Sequence, residues 1–412
     1  MTRPYAVYAD RNGEIMVEPR MTAVGGNGGN WVEMKELIPL PSGSDLFFLP
    51  RRRPAGINTV TGKMELMDGK DRAAVAAALP PGYTRLLLPA YRSLPQAPRL
   101  PLFGYTAVAA FGDRFFVAAR KTDRAAGWEI QNHNTPDLPA LVEKKTAAHP
   151  ENRILKQLAH CALVYRCLTA QNVFYGRGEG GLPVANSCNA QCLGCISLQP
   201  AECCPSPQQR IDFQPTVDEI VEVALMHLRA AGKTMISFGQ GCEGEPLTAW
   251  RRLWRAVKTV RRRTGKGMIN INTNAGLPRA LKILVGAGLD SARISLLSAV
   301  PDNYHQYHRP QDYTFQQVGE SVDLLRAQEV FVSLNLLVMP GFTDRRAEKE
   351  ALFAWLRRHP VDMIQLRNLN IDPGWFWQKM RLSKEPGAGI PSFIEEIKKE
   401  FPGVLLGNVS RF

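Results

Sequence analysis

The C-terminal half of the chain repeats one pattern. Short runs rich in Ile, Val and Leu occur at 182–187, 234–239, 268–273, 292–297, 330–338 and 362–368. Between and after them lie longer stretches, 217–232, 249–263, 278–288, 315–328, 345–359 and 392–401, in which apolar residues recur every three or four positions. The short runs predict strands and the periodic stretches predict amphipathic helices. Pro215-Thr216 opens the first helix and Gly232 closes it, in keeping with helix-end chemistry. Strand and helix alternate six times, which predicts a parallel sheet covered by helices. Right-handed crossovers in series curl such a sheet toward a barrel. The fold class expected is α/β, a partial (β/α)6 barrel with a β-rich module ahead of it.

That module occupies residues 1–125. Runs at 5–9, 14–18, 85–91 and 113–119 read as strands, and 71–79 reads as a helix. The glycine run Gly25-Gly26-Asn27-Gly28-Gly29 and several Leu-Pro pairs read as turns. Residues 126–175 are a connecting segment with a helix at about 151–169, whose apolar face includes Cys161. Residues 176–385 form the barrel and 386–412 a last helix and tail. Gly176 to Gly181 mimics a dinucleotide fingerprint, but a strand follows it and not a helix, so it reads as a hinge loop.

In barrels of this kind the chemistry collects at the C-terminal ends of the strands. The expected strand exits carry three cysteines, then Gly239-Gln240-Gly241-Cys242-Glu243-Gly244-Glu245-Pro246, then Asn274-Ala275-Gly276, Ser298, Pro340 to Asp344 and Asn370 to Pro373. Small and polar residues recur where a packed core would not need them.

Composition narrows the class. The chain has 412 residues, 45% of them hydrophobic, enough for more than one core. No apolar run approaches the roughly 20 residues of a spanning helix, and the N-terminus lacks an apolar signal core, so no membrane partner and a cytoplasmic location are expected. All of the eight cysteines except Cys242 fall between Cys161 and Cys204, and in a cytoplasmic chain such clustering argues for metal over disulfides.

Cys188-x3-Cys192-x2-Cys195 is the sharpest signal. Thiolates are soft ligands suited to zinc, Cu(I) or iron–sulfur clusters. A structural zinc takes four protein ligands, and the local count is three. A fourth would have to come from Cys203, Cys204 or a distant residue. A [4Fe–4S] cube held by three thiolates keeps one iron open to chelate another molecule.

At these residues the chain resembles the radical S-adenosylmethionine (radical SAM) superfamily, whose mark is CxxxCxxC after the first strand of a partial barrel. Further segments resemble that family in order: Glu243-Gly244-Glu245-Pro246 its GGEP segment, Asn272-Thr273-Asn274 its third strand exit, and Arg293-Ile294-Ser295-Leu296 with the trailing His305 to Arg309 its fourth strand. Ser333 to Val338 is similar to the fifth strand of molybdopterin-biosynthesis-like members. The resemblance covers about 180–375. It implies that Cys188, Cys192 and Cys195 bind a [4Fe–4S] cluster. It also implies that S-adenosylmethionine chelates the fourth iron and is cleaved to a 5′-deoxyadenosyl radical. Gly244, Glu245, Asn272, Asn274, Ser295 and Asn335 are the implied cofactor contacts, and a reductant such as ferredoxin or flavodoxin the implied electron donor. Gly194 departs from the pattern, since the family usually has an aromatic there, as do Glu243 in place of a glycine and Leu297 in place of an acid.

Side signals leave alternatives open. No residue is assigned as catalytic; Cys242, within the second exit, is the one candidate, as a hydrogen donor, a ligand or a small buried residue. Cys203-Cys204 reads as extra ligands or a labile thiol pair. Trp375-Phe376-Trp377 reads as a stacking platform or as core, and His305 and His308 as surface residues or a proton relay. The net charge of +13, with Arg251, Arg252, Arg255, Lys258 and Arg261 to Arg263 on one stretch, reads as a solvated helix face or as a site for an anionic or macromolecular substrate. The rival function is a non-catalytic iron–sulfur or zinc protein that binds RNA through that helix.

Overall fold

The computed structural model describes residues 3–69, 71–124, 127–382 and 386–411. Seven parallel strands form the C-terminal sheet in simple chain order: Gly178–Gly181, Thr234–Phe238, Met268–Thr273, Ser291–Leu296, Phe331–Val338, Met363–Asn368 and Leu405–Gly407. Each neighbour in sequence is the neighbour in space, so the sheet curls progressively into a half-barrel. Helices at Val217–Leu228, Trp250–Arg263, Pro278–Ala287, Phe315–Ala327, Arg346–Arg358 and Ile390–Glu400 account for the six expected. Two are fixed at the start by capping boxes, Thr216 with Glu219 and Thr314 with Gln317.

The strands have two unlike faces. One carries Ile236, Phe238, Ile269, Ile271, Ile294, Leu334, Leu336, Ile364 and Leu366, all buried in the main apolar core. The other carries Ser237, Asn270, Asn272, Arg293, Ser295, Ser333, Asn335, Gln365 and Arg367, which the register places side by side across the concave side. Several of these, including Asn272, Ser295, Asn335 and Arg367, stay open to solvent although they lie mid-sheet. The concave side is therefore an accessible polar lumen.

The first strand differs from expectation. It is Gly178–Gly181, and the apolar run 182–187 is the chain leaving it. Glycine gives no hydrophobic signal, yet here its lack of a side chain is what permits pairing. A Cβ on Gly180 would sit 2.8 Å from Val173 Cγ2 and 2.9 Å from His227 Nε2. The supposed hinge loop is thus a close-packed strand, backed by a short helix, Leu168–Tyr175, that the sequence pattern did not single out. The helix expected at 151–169 is two, Arg153–Leu163 and this one, with Leu138–Ala148 before them. The first barrel helix ends at Leu228, short of Gly232.

In residues 5–117 a twelve-stranded sheet is built from antiparallel pairs. The expected helix at 71–79 is instead the strand Ala73–Ala78. Alanine favours helix in isolation. Here three strands, Asp45–Leu49, Tyr5–Ala9 and Thr106–Phe111, pair with this segment and leave room only for small side chains. Gly25, Gly26 and Asn27 belong to a long strand, Ile15–Asn27, and only Gly28 and Gly29 make the turn. This module is docked on the barrel through buried polar groups. Arg85, wholly buried, donates to the carbonyls of Phe103 (3.0 Å) and Leu369 (2.7 Å). Arg52 pairs with Asp372 at 2.7 Å, and the Asp123 carboxylate accepts from the backbone N–H groups of Asn408 and Val409. No helix among the described residues is long and apolar enough to cross a membrane.

Candidate active site

The three cysteines lie in one irregular loop just past the first barrel strand, clamped from both sides. On one side the second strand exit runs against it: Gly244 N–H donates to Ala185 O (2.8 Å) and Glu245 N–H to Ser187 O (2.9 Å). A Cβ on Gly244 would overlap Ser187 O, so the approach requires glycine. On the other side the segment after the fourth strand pairs with it, Gln191 N–H with His308 O (3.2 Å) and Leu193 N–H with Tyr307 O (2.9 Å). Asn189 joins the clamp, donating to Asp312 Oδ1 and accepting from Asn274 Nδ2 at 2.7 Å.

Two carboxylates hold this frame. Glu243 accepts from four backbone N–H groups, those of Val184, Ala185, Gly239 and Gln240, at 2.6–3.0 Å. Glu245 accepts from Leu247 N–H, Thr273 Oγ1 and Asn274 N–H. Burial pushes both up to about 7 against the pull of these donors. Glu245 and Asn274 spend their side chains inside the frame, whereas Asn272, Ser295 and Asn335 face the lumen. Asn335 Nδ2 reaches Ser295 Oγ at 3.4 Å, and Asn335 Oδ1 is buried without a hydrogen-bond partner.

The thiols have distinct surroundings. Burial raises Cys188 to about 11, with Glu245 adding to the rise and Arg210 opposing it. Cys192 is pushed well up by burial and by the charge of the other two thiols. Its Sγ is 3.6 Å from His308 Nδ1. His308 is itself buried, and burial pushes it down to about 3, so the ring is neutral. Because Nε2 accepts from Leu297 N–H (3.2 Å), the ring hydrogen sits on Nδ1, the nitrogen nearer the sulfur. Cys195 Sγ takes Arg210 Nη2 at 3.6 Å and Ser197 Oγ at 3.8 Å. Gly194 has a reason in the structure: a Cβ there would lie 2.8 Å from the Tyr307 hydroxyl, which fills that space.

Sequence spacing did not point to Arg210, Ser197 or Tyr307, and it left His308 undecided between surface and relay. Other expectations resolve plainly. Trp375, Phe376 and Trp377 are buried in an apolar cluster and form core. Cys242 is buried in the helix-side core beside Cys161. Cys203 and Cys204 have their sulfurs 2.9 Å apart. On the basic helix, Arg261 is tied to Asp290 and Arg252 to Gln214, and the rest lie along its outer side.

A half-barrel with a cysteine loop over a polar lumen defines a class, and residues 182–354 match the family described as the Radical SAM superfamily. That segment is a radical SAM domain, an enzyme domain whose members bind a [4Fe–4S] cluster and S-adenosylmethionine. The chain is similar to a probable GTP 3′,8-cyclase of Methanosarcina acetivorans, 27% identical over 205 residues, which are 48% of this chain and 58% of that protein. It therefore spans little more than half the length of that relative. Among solved structures it is similar to a methylornithine synthase, with 15% identity, 66% of this chain and 74% of that one covered, and a TM-score of 0.40. It is also similar to a radical SAM methyltransferase from Sphaerobacter thermophilus, with 15% identity, 50% and 64% covered, and a TM-score of 0.35.

The residues present fit those two groups. Among the described residues no three His, Cys, Asp or Glu side chains are arranged around a single ion. The three cysteines share one loop, and Cys188 and Cys195 lie near enough to Cys192 for their charge to act on it, a set of soft donors suited to a cluster. Asn335 stands on the lumen face of the sheet, and its buried Oδ1 has no hydrogen-bond partner among the described residues.

Proposed function

We propose that the protein cleaves S-adenosylmethionine reductively at a [4Fe–4S] cluster held by Cys188, Cys192 and Cys195, and so begins radical chemistry on a substrate in the lumen. The observation that carries this is the clamped cysteine loop at the mouth of a polar half-barrel. When bound, the cluster supplies one electron and an iron open to chelation. The chain supplies the rest. Arg210 and the neutral His308 ring donate toward Cys195 and Cys192 and stabilise them as thiolates. Gly244 lets the second strand exit approach the loop, and Glu243, Glu245 and Asn274 fix that exit in place. Asn272, Ser295 and Asn335 orient the cofactor from the lumen wall. The N-terminal module, tied to the fifth and sixth strand exits, walls the mouth and limits entry of water. A one-electron donor of ferredoxin or flavodoxin type serves as reductant.

The test is anaerobic reconstitution of the intact protein. Uptake of about four irons per chain and release of 5′-deoxyadenosine under dithionite are expected. The Cys192→Ala variant should lose both. Zinc without iron, or a Cys192→Ala variant that keeps its cluster, overturns the reading.

A further inference from the structure

The lumen holds more positive charge than its own carboxylate neutralises. On its wall Arg293 pairs with Glu179, with Nη1 at 3.2 Å from Oε1, and also reaches Asn272 Oδ1 (2.8 Å) and Ser410 Oγ (2.5 Å). Ser237 Oγ donates to Glu179 at 2.5 Å, and Ser410 Oγ to its other oxygen. While Arg293 Nε stays buried without a partner among the described residues, Glu179 is thus fully engaged by Arg293 and the two serines. Arg367, on the same face near the mouth end of the sixth strand, has no such partner. Among the described residues its one hydrogen bond is from Nη1 to Asn408 O at 2.6 Å, and no carboxylate lies within ion-pair distance.

The register places this residue on the concave face of the sheet. Its register partner is Leu337, on the face opposite to the helix-covered Leu336 and Leu366. Its side chain stays exposed; burial and the nearby Arg293 lower its pKa, and Glu179, already paired with Arg293, opposes the fall. A guanidinium with no carboxylate partner offers its forked donors to an incoming anion. Elsewhere this chain pairs such charges: Arg52 with Asp372, Arg293 with Glu179. The unmatched one lies on the lumen face of the sheet. It lies on the sixth strand, whereas the cysteine loop is clamped by the second and fourth exits.

We propose that Arg367 anchors an oxyanion of the substrate, a carboxylate or phosphate, gripped by the guanidinium fork. This rests on the reading of the lumen as the substrate site. It restricts the substrate to molecules that carry such a group.

The experiment titrates inorganic phosphate into the cluster-loaded protein at low ionic strength and follows ³¹P line broadening. S-adenosylmethionine binding is measured separately by equilibrium dialysis. Arg367→Gln should weaken phosphate binding at least tenfold. Arg367→Lys, which keeps the charge without the fork, should fall between, and Arg255→Gln on the outer helix should change nothing. S-adenosylmethionine binding should stay within twofold in all three. Acetate that displaces phosphate assigns a carboxylate; acetate that does not assigns a phosphate. Phosphate binding unchanged in Arg367→Gln overturns the proposal. So does a parallel loss of S-adenosylmethionine binding, because the arginine would then hold the cofactor's own carboxylate. Should the protein bind phosphate through Arg367 yet carry no cluster, the anion site stands and the radical reading fails.

Discussion

His227 lies wholly buried behind the first barrel strand, with Nε2 donating to Gly178 O at 3.0 Å and Nδ1 without a partner. Burial pushes it down to about 4, Lys145 adds to the fall, and the Gly178 carbonyl and Glu179 oppose it. The unfolded chain takes up this proton near pH 6.5 and the folded chain resists until about pH 4. Stability is therefore complete above pH 6.5 and is lost as pH falls through that window, by about 3 kcal/mol at pH 4. Urea midpoints at pH 7 and pH 4.5 check this: His227→Gln should show a drop smaller by most of that amount. At this scale the cysteine motif was legible from spacing alone, because its three thiols lie close together in the chain. The groups around it were not. His308 reaches Cys192 from 116 positions away, and only the fold brings them together.

Elements show how a weak local signal yields to packing. Barrel strands two to six were legible because Ile, Leu and Val alternate with Ser, Asn and Arg. Strand one was not, since Gly178–Gly181 has nothing to alternate. The same crowding makes a prediction. Gly180→Ala forces a methyl against Val173 and His227 and should destabilise by about 1–3 kcal/mol. Gly286→Ala, on an open face of the Pro278–Ala287 helix with nothing within 4 Å, should stabilise by up to about 1 kcal/mol. Denaturation midpoints of opposite sign are the check. The alanine strand Ala73–Ala78 makes the same point from the other side: propensity favours helix, and three pairing neighbours overrule it.

The molecule as a whole depends on how its two parts are joined. Arg52 and Asp372 are both almost wholly buried, and Asp372 also accepts from Leu100 N–H, Gly374 N–H and Trp375 N–H. Asp372→Asn strands the guanidinium and should cost about 3–5 kcal/mol. The double variant Arg52→Met with Asp372→Asn removes the stranded charge and should recover most of that loss, while Arg52→Met alone leaves the carboxylate stranded and should not. Thermal unfolding of the three variants distinguishes a desolvated ion pair from simple packing. Nothing in the sequence marked this pair, whose partners are 320 positions apart.

Ser410 touches Glu179 across 231 positions, and Asn408 caps Arg367 and meets Asp123. The inner wall of the half-barrel is thus finished by residues synthesised long after its first strand. Until they arrive, Glu179, Arg293 and Arg367 lack the hydroxyl and carbonyl that complete their hydrogen bonds. Premature termination a few codons before Asn408 would strip these late contacts from a barrel otherwise nearly whole, and a chain halted there should be cleared by proteases at a rate far above that of the finished one.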